Sequence, residues 1–256
     1  MRYDALILAG GALDPKLRQF GDVVSKAFLS LGDKSMLEYV FEALQNSGVV
    51  NRIFIVSPNE NTPGLLKNSV TAVIRSGNTL FESLNHGIKG IPNPTSKILV
   101  CAADSPLLSP KAVSNFVSSS EEFEADLYYP FVEKHDSETM FPGLPHTWVT
   151  LREGVFCGGG IIMLNPARFK SLADFAKKIT TYRKTPWKLI TLFGFWNTVK
   201  FAMKKLKIAE LELKSTQLLG FPVKGIRSPD PEIAFNVDDP DSFIMAAKVL
   251  GVSVPN

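Results

Sequence analysis

The sequence predicts an α/β domain with a mostly parallel sheet, and three observations lead to this fold class. Short, uninterrupted apolar runs, typical of strands buried on both faces, alternate with segments whose apolar residues recur at helical spacing. This alternation indicates βαβ units, whose right-handed crossovers make successive strands parallel. Apolar residues make up 45% of the 256 residues, without an internal repeat or an obvious linker. We therefore expect a single domain, residues 1–256, with a substantial core.

The first half of the chain carries the regular part of this pattern. The first apolar run ends directly before Gly10-Gly11, and the first long helix is followed by Ser47-Gly48, a C-terminal capping sequence. The predicted strands cover residues 3–8, 52–56, 70–74 and 97–102, and the predicted helices cover residues 33–44, 79–88 and a segment beginning at Pro110.

The second half is less regular. Strands are predicted at residues 127–132 and 147–151, on either side of an acidic, turn-rich loop. The glycine turn at 156–160 leads into another strand, and the last strand, 232–237, precedes a helix from 242 to 250. A helical, basic and aromatic segment, about residues 166–225, is predicted as an insert into the domain.

Several residues that could bind a ligand follow the predicted strands directly. Gly10 and Gly11 follow the first strand, Asp104 follows the strand at 97–102, and Asp238 follows the last strand. Ligands of parallel sheets collect at the carboxyl ends of the strands, where glycines let a phosphate approach the backbone and carboxylates can hold Mg²⁺. Each feature also has a purely structural explanation, because glycine pairs form tight turns and aspartates cap helices.

Lys26 lies between the glycine loop and a short predicted strand, where a cation could offset the charge of a bound phosphate. A single lysine is also common as a solvated surface residue. The histidines and the two cysteines, Cys101 and Cys157, lack the spacing of a zinc site. We expect both thiols to be buried and free, and we predict a cytoplasmic protein, because the chain shows no signal-peptide pattern and no long apolar span.

These motifs occur in an order that resembles the MobA-like NTP transferases, a family that includes molybdenum-cofactor nucleotidyltransferases and relatives of methylerythritol-phosphate cytidylyltransferase. The resemblance rests on Leu8-Ala9-Gly10-Gly11, Lys26 before a short apolar stretch, Gly32 to Leu37, Ser76 to Ser83, Ala103 to Leu107, Phe156 to Gly160, and Asn236 to Asp241. It covers the chain except for about residues 166–225. It implies a three-layer α/β/α, Rossmann-like nucleotide-diphospho-sugar transferase fold.

The resemblance also implies an activity and a set of site residues. The expected activity is Mg²⁺-dependent transfer of NMP from an NTP to a phosphorylated or anionic small acceptor, with release of pyrophosphate. The family's catalytic residues correspond to Lys26 and Asp104, and its metal ligands correspond to Asp104 and Asp238. The nucleotide-binding residues correspond to Leu8, Ala9, Gly10, Gly11, Lys26, Ser76, Gly77, Asn78 and Ser83, and the acceptor site to Gly158, Gly159 and Gly160.

The loop after Gly11 departs from the family pattern. The usual continuation, Gly-x-Gly-x-Arg-Met, is replaced by a longer loop in which Lys16 or Arg18 could take the place of the arginine. Leu80 stands where the base-contacting segment often carries an arginine. The identity of the base therefore stays open. A nucleotide-sugar glycosyltransferase and a non-catalytic nucleotide-binding module are the alternatives.

The insert has an unusual composition. Residues 167–207 contain eleven lysines and arginines but a single acidic residue, Asp174. The aromatic residues interleaved with them are Phe169, Phe175, Tyr182, Trp187, Phe193, Phe195, Trp196 and Phe201. Core helices with basic outer faces explain this composition, and so does peripheral contact of residues 166–207 with an anionic membrane. A homodimer interface is a further alternative, and the high aliphatic content disfavours nucleic acid.

Overall fold

The computed structural model describes residues 2–58, 66, 70–182 and 192–254. The strands are β1 Tyr3–Leu8, β2 Ser30–Leu31, β3 Lys34–Ser35, β4 Val50–Ser57, β5 Ala72–Arg75, β6 Ile98–Ala102, β7 Leu127–Glu133, β8 Val149–Leu151, β9 Gly154–Gly158, β10 Ile161–Leu164 and β11 Val223–Arg227. The α-helices are α1 Met36–Asn46, α2 Leu80–Gly90, α3 Pro110–Glu121, α4 Lys134–Met140, α5 Phe169–Tyr182, α6 Phe195–Ala202, α7 Ile208–Leu219 and α8 Pro240–Leu250.

Nine of these strands form one mixed sheet. Their order is β5-β4-β1-β6-β10-β7-β9-β8, and β11 pairs with β7. In this sheet β1 pairs in parallel with β4 and β6, and β4 with β5, whereas β9 and β10 run against their neighbours. Seven of the nine strands therefore point in one direction, which confirms the predicted mostly parallel sheet.

Helices cover both faces of the sheet because its central strands are apolar on both sides. Along β1, Ala5 and Ile7 face the core formed with α1 and α3, and Leu6 faces the core formed with α2. Farther along the sheet, apolar residues of α5 and α7 pack on the face of β7 and β10. The result is the predicted three-layer α/β/α architecture, with the core on both sides of the sheet.

The structure differs from the predicted elements at four places. The stretch predicted as the last strand, 232–237, contains a 3-10 helix, Pro231–Ala234, followed by extended chain. Its apolar residues are buried by packing on neighbouring segments, and β11 occupies the sheet position beside β7. The acidic loop predicted after residue 132 contains the helix α4. The short strand predicted after Lys26 begins as a 3-10 turn, Lys26–Phe28. Finally, β11 includes residues 223–225 of the predicted insert.

In the part of the chain that the structure describes, no helix is long and apolar enough to span a bilayer. Trp187, one of the aromatic residues of the predicted insert, lies outside the described residues, as does the side chain of Tyr182.

Candidate active site at the carboxyl edge of the sheet

The glycine loop begins where β1 ends and is held by the two neighbouring strands. The Ala9 amide donates to the Val56 carbonyl at 2.8 Å, and the carbonyl of Leu8 accepts from Ala103 at 3.2 Å. At Gly10 an added Cβ would lie 3.1 Å from Cβ of Ser76, so a side chain there would crowd this residue. Glycine thus brings the first loop into contact with the segment that leads into α2.

That second segment is ordered around the start of α2. Thr79 caps the helix by accepting from the Glu82 amide at 3.1 Å. The Gly77 amide donates to Oγ of Ser83 at 3.1 Å, and the Asn78 amide donates to Glu82 at 2.8 Å. The predicted nucleotide-binding segment from Ser76 to Ser83 therefore forms a tight turn facing the glycine loop.

A charged cluster lies beside the glycine loop. Nζ of Lys26 lies 2.5 Å from Oδ2 of Asp104 and 2.7 Å from Oδ1 of Asp238, and it donates to the Val237 carbonyl at 3.0 Å. Burial by itself lowers the pKa of Lys26, but the Asp104 carboxylate and the hydrogen bonds to both aspartates outweigh burial and raise it. Lys26 is therefore a cation that joins two carboxylates from distant parts of the sequence.

The two aspartates differ in their surroundings. Oδ1 of Asp104 is buried and has no hydrogen-bond partner among the described residues. The Asp238 side chain is 74% exposed, and it is the neighbouring Asp239 that caps α8 by accepting from the Ser242 amide at 2.8 Å. A buried carboxylate oxygen without a partner is costly unless a cation or a donor completes it.

These residues fit a magnesium ion. Mg²⁺ commonly takes one or two protein carboxylates and completes its coordination with water and substrate phosphates. Among the described residues, no group of three or more His, Cys, Asp or Glu side chains could hold a metal alone. Phosphate oxygens would therefore have to share the ion with Asp104 and Asp238.

The second glycine run lets the segments that carry the two aspartates approach each other. A Cβ on Gly160 would lie 2.6 Å from Oγ of Ser105 and 2.8 Å from Oδ1 of Asn236, two groups that are hydrogen-bonded to each other at 2.7 Å. A Cβ on Gly159 would lie 2.9 Å from the Ile233 carbonyl. These glycines are therefore needed for packing around the charged cluster.

Two adjoining cavities divide the predicted site residues. A cavity of about 560 Å³ lies between the glycine loop, the start of α2 and the end of β6. The predicted residues that line it are Leu8, Gly10, Gly11, Lys26, Gly77, Asn78, Ser83, Asp104, Gly159 and Gly160. Gly158 and Asp238 line a second cavity instead. Ala9 is buried in the core, and Ser76 binds the Ser57 carbonyl through its amide at 2.9 Å.

Three polar residues that support this arrangement were not predicted as site residues. Oγ of Ser25 donates to the Ala9 carbonyl at 2.8 Å and thereby joins the Lys26 segment to the glycine loop. Ser105 and Asn236 join the segments of the two aspartates through their mutual hydrogen bond. Each lies next to, or two residues from, a residue singled out in the sequence, and that proximity is the signal that could have found them.

The family model of the MobA-like NTP transferase domain matches residues 5–174. The chain belongs to the MobA-like NTP transferase family. The match includes the glycine loop, Lys26 and Asp104, but it ends before α7, β11 and Asp238, whose place beside Lys26 is known from the structure alone.

Two solved structures from Thermus thermophilus are similar to this MobA-like protein. A structure described as a hypothetical transferase from Thermus thermophilus is 30% identical, with a TM-score of 0.80, and the alignment covers 95% of this chain and 100% of that one. The solved 2-C-methyl-D-erythritol 4-phosphate cytidylyltransferase of Thermus thermophilus is 16% identical with a TM-score of 0.57, covers 98% of this chain and 100% of that one, and supports the fold alone.

Curated relatives carry the same cytidylyltransferase name. The enzyme of Clostridium botulinum is 28% identical over 131 residues, which are 47% of this chain and 55% of that protein. The enzyme of Desulforamulus reducens is 25% identical over 115 residues, 42% of this chain and 49% of that protein. The chain thus spans about half the length of the curated relatives it matches.

Proposed function

We propose that this MobA-like protein is a nucleotidyltransferase that transfers NMP from an NTP to a phosphorylated or otherwise anionic small acceptor. The observation that carries this proposal is the Lys26–Asp104–Asp238 cluster, in which Lys26 and Asp104 line the cavity beside the Gly10-Gly11 loop and Asp238 contacts Lys26 from the second cavity. Triphosphate chemistry needs several groups at one place: a backbone free of side chains, a cation and two carboxylates.

The proposed reaction needs no nucleophile from the protein. An oxygen of the acceptor forms a bond to the α-phosphorus, the bond from that phosphorus to the oxygen bridging to the β-phosphate breaks, and pyrophosphate leaves with the electron pair. Gly10 and Gly11 let the phosphates approach the backbone, and Lys26 offsets the negative charge that develops on the departing pyrophosphate. Mg²⁺ held by Asp104 and Asp238 would supply neutralisation of charge at the α-phosphate.

CTP is the first nucleotide to test, because the curated relatives are named cytidylyltransferases. GTP is the second, because the family also includes molybdenum-cofactor nucleotidyltransferases. At the cavity wall, where an arginine is common in the family, Leu80 is 62% exposed and offers no hydrogen bond to a base. We therefore expect weaker discrimination between bases than a bidentate arginine would give.

Release of pyrophosphate tests the proposal. The four NTPs are incubated with MgCl₂ and a panel of phosphorylated acceptors, and pyrophosphate is measured for the wild-type protein and Asp104→Ala. Asp33→Ala is the matched control, because Asp33 is an exposed aspartate in the turn between β2 and β3. We expect pyrophosphate from the wild type and the control only. Turnover of nucleotide sugars without pyrophosphate would favour a glycosyltransferase, and nucleotide binding without turnover would favour a binding module.

A peripheral membrane contact is a second proposal, supported by the surface of α6. The exposed large apolar residues there are Phe195, Trp196, Phe201 and Met203, the first two 64% and 73% exposed. Lys204 and Lys205 follow directly, which joins aromatic and cationic groups as in interfacial helices. Wild type should sediment with anionic liposomes and Trp196→Ser should do so less. Absence of sedimentation at low salt would contradict the proposal. That the protein forms a homodimer stays a prediction, which size-exclusion chromatography with light scattering can test.

A further inference from the structure

The second cavity, of about 640 Å³, reaches the charged cluster through Asp238, whereas Lys26 and Asp104 line the cavity beside the glycine loop. Its wall includes Gly158, Asn236 and Asp238 together with residues of the sheet and of the helices α5 and α7. Most of its wall is apolar, and the apolar residues that line it include Phe131, Leu151, Phe156, Leu172, Phe175 and Leu211.

Side chains connect this cavity to the proposed reaction centre. Asp238 contributes to its wall and also contacts Lys26 at 2.7 Å. Asn236 lies on the same wall and accepts a hydrogen bond from Oγ of Ser105 at 2.7 Å. Ser105 directly follows Asp104 in the chain. A phosphate near Asp238 in this cavity would therefore lie beside the same cation and carboxylates as a nucleotide in the first cavity. The second cavity is therefore within reach of the proposed reaction centre.

Most polar side chains of the cavity already have partners inside the protein. Glu212 accepts from the Gly225 amide at 2.9 Å and from Lys224 at 3.1 Å. The ring of His146 contacts the Ser137 hydroxyl at 3.0 Å, and burial lowers its pKa, so that it is neutral near pH 7. Ser215 donates to the Leu211 carbonyl at 2.8 Å. A sugar in this cavity would leave several hydroxyls without partners, which costs binding free energy.

The Tyr129 hydroxyl is different, since the described residues provide it with no hydrogen-bond partner. It packs so closely on Gly158 that a Cβ there would lie 1.8 Å from the hydroxyl oxygen. Tyr129 is 45% exposed and lines the cavity. Glycine at position 158 thus leaves room for the phenol group of Tyr129 in the cavity whose wall also includes Asp238.

We propose that the acceptor is a phosphate attached to an apolar chain, with the chain in this cavity and the phosphate near Asp238 and the Tyr129 hydroxyl. This inference rests on the proposed function and specifies its substrate class. In the reaction, an oxygen of that phosphate forms the bond to the α-phosphorus of the NTP, and the bond to the pyrophosphate oxygen breaks. The phenol donates a hydrogen bond to the acceptor phosphate and is a positioning residue.

Binding without nucleotide tests the substrate class independently of turnover. Butyl, octyl and decyl phosphate, each below its micelle concentration, are titrated into the protein by calorimetry, with glucose 1-phosphate and inorganic phosphate for comparison. Affinity should rise by roughly fourfold for each added methylene while the chain stays in the cavity. Geranyl phosphate, with the same number of carbons as decyl phosphate, distinguishes an isoprenyl from a straight chain.

Two leucines on α7 provide matched variants. Leu211 lines the cavity, whereas Leu213 is 60% exposed and does not. Leu211→Gln should reduce the gain in affinity per methylene, and Leu213→Gln should leave it unchanged. Tyr129→Phe should weaken the binding of all alkyl phosphates by the same factor and leave the gain in affinity per methylene unchanged. This result separates a contact with the phosphate from a contact with the chain.

Equal binding of glucose 1-phosphate and octyl phosphate would overturn the inference, even if pyrophosphate release showed that the protein is a nucleotidyltransferase. An unchanged gain per methylene in Leu211→Gln would overturn it too, because the chain would then lie elsewhere. A gain in affinity per methylene that Leu211→Gln reduces would support the apolar site. It would do so even if no NTP gave pyrophosphate and the proposed function failed.

Discussion

Replacing Lys26 by methionine removes the cation between Asp104 and Asp238 while it keeps most of the side-chain volume. Nζ of Lys26 lies 2.5 Å from Asp104 and 2.7 Å from Asp238, so both carboxylates lose their partner at once. We expect a less stable protein whose stability depends more strongly on Mg²⁺. Turnover, measured as pyrophosphate release, should fall by about a hundredfold or more, because an electrostatic contact to the departing group is lost.

The size of the stability change follows from the burial of each partner. The side chains of Lys26 and Asp104 are 17% and 16% exposed, whereas that of Asp238 is 74% exposed. Breaking a fully buried pair costs about 3–5 kcal/mol, and an exposed pair is worth less than about 1 kcal/mol. We expect a loss of about 2 kcal/mol, almost all from Asp104. In a domain of this size the melting temperature should then fall by about 4–8 °C.

Thermal unfolding with EDTA and with millimolar MgCl₂ is the assay. Without the lysine, Mg²⁺ no longer competes with an internal cation, so the ion should raise the melting temperature of Lys26→Met more than that of the wild type. Lys34→Met is the matched control, because Lys34 pairs with Glu42 at 2.8 Å on the surface and its loss should cost less than about 1 kcal/mol.

Two results would refute this reasoning. A melting temperature of Lys26→Met equal to that of the wild type in EDTA would show that the ion pairs contribute nothing. Equal stabilisation of both proteins by Mg²⁺ would show that Asp104 and Asp238 do not hold the ion.

Three further predictions concern other parts of the molecule. Asp4 is fully buried and paired with Arg52. Burial by itself raises the pKa of Asp4, but the hydrogen bonds that its carboxylate accepts, chiefly from Arg52, outweigh burial and lower this pKa overall. Asp4→Asn should cost about 3 kcal/mol near pH 7, and its difference from the wild type should begin to shrink as the pH falls below about 4 and disappear only below the lowered pKa of Asp4, as urea unfolding across pH can check. Gly160→Ala should reduce turnover by more than a loss of folded protein explains, since its Cβ would meet the hydrogen-bonded groups around the charged cluster. The turnover rate and the melting temperature, measured on the same variant, separate the two effects. Burial raises the pKa of both thiols, that of Cys157 to about 11, so Cys101 and Cys157 should react with a thiol reagent near pH 8 only after unfolding.

The parallel half of the fold could be predicted because its signals are local. Ala5 to Leu8 is apolar at every position since β1 is covered on both faces, and the first helix begins at the capping box of Ser35 and Glu38. Residues 232–237 have the same apolar composition and were wrongly predicted as a strand. Those side chains are buried in the core, but β11 occupies the position beside β7 in the sheet. Which of two segments pairs with β7 cannot be read from the composition of one segment alone.

The candidate site shows the same division. The sequence by itself determined which residue types follow the strands: Gly10 and Gly11 after β1, Asp104 after β6, and an aspartate before α8. Only the tertiary structure decided that Asp239 caps α8, and that the Asp238 carboxylate instead pairs with Lys26, which also contacts Asp104. The apolar cavity beside Asp238 also exists only in the folded chain, because its walls come from distant strands and helices. Local propensity fixes elements a few residues at a time, whereas a charged cluster or a cavity depends on contacts between distant segments, such as Lys26 and Asp238, which are 212 positions apart.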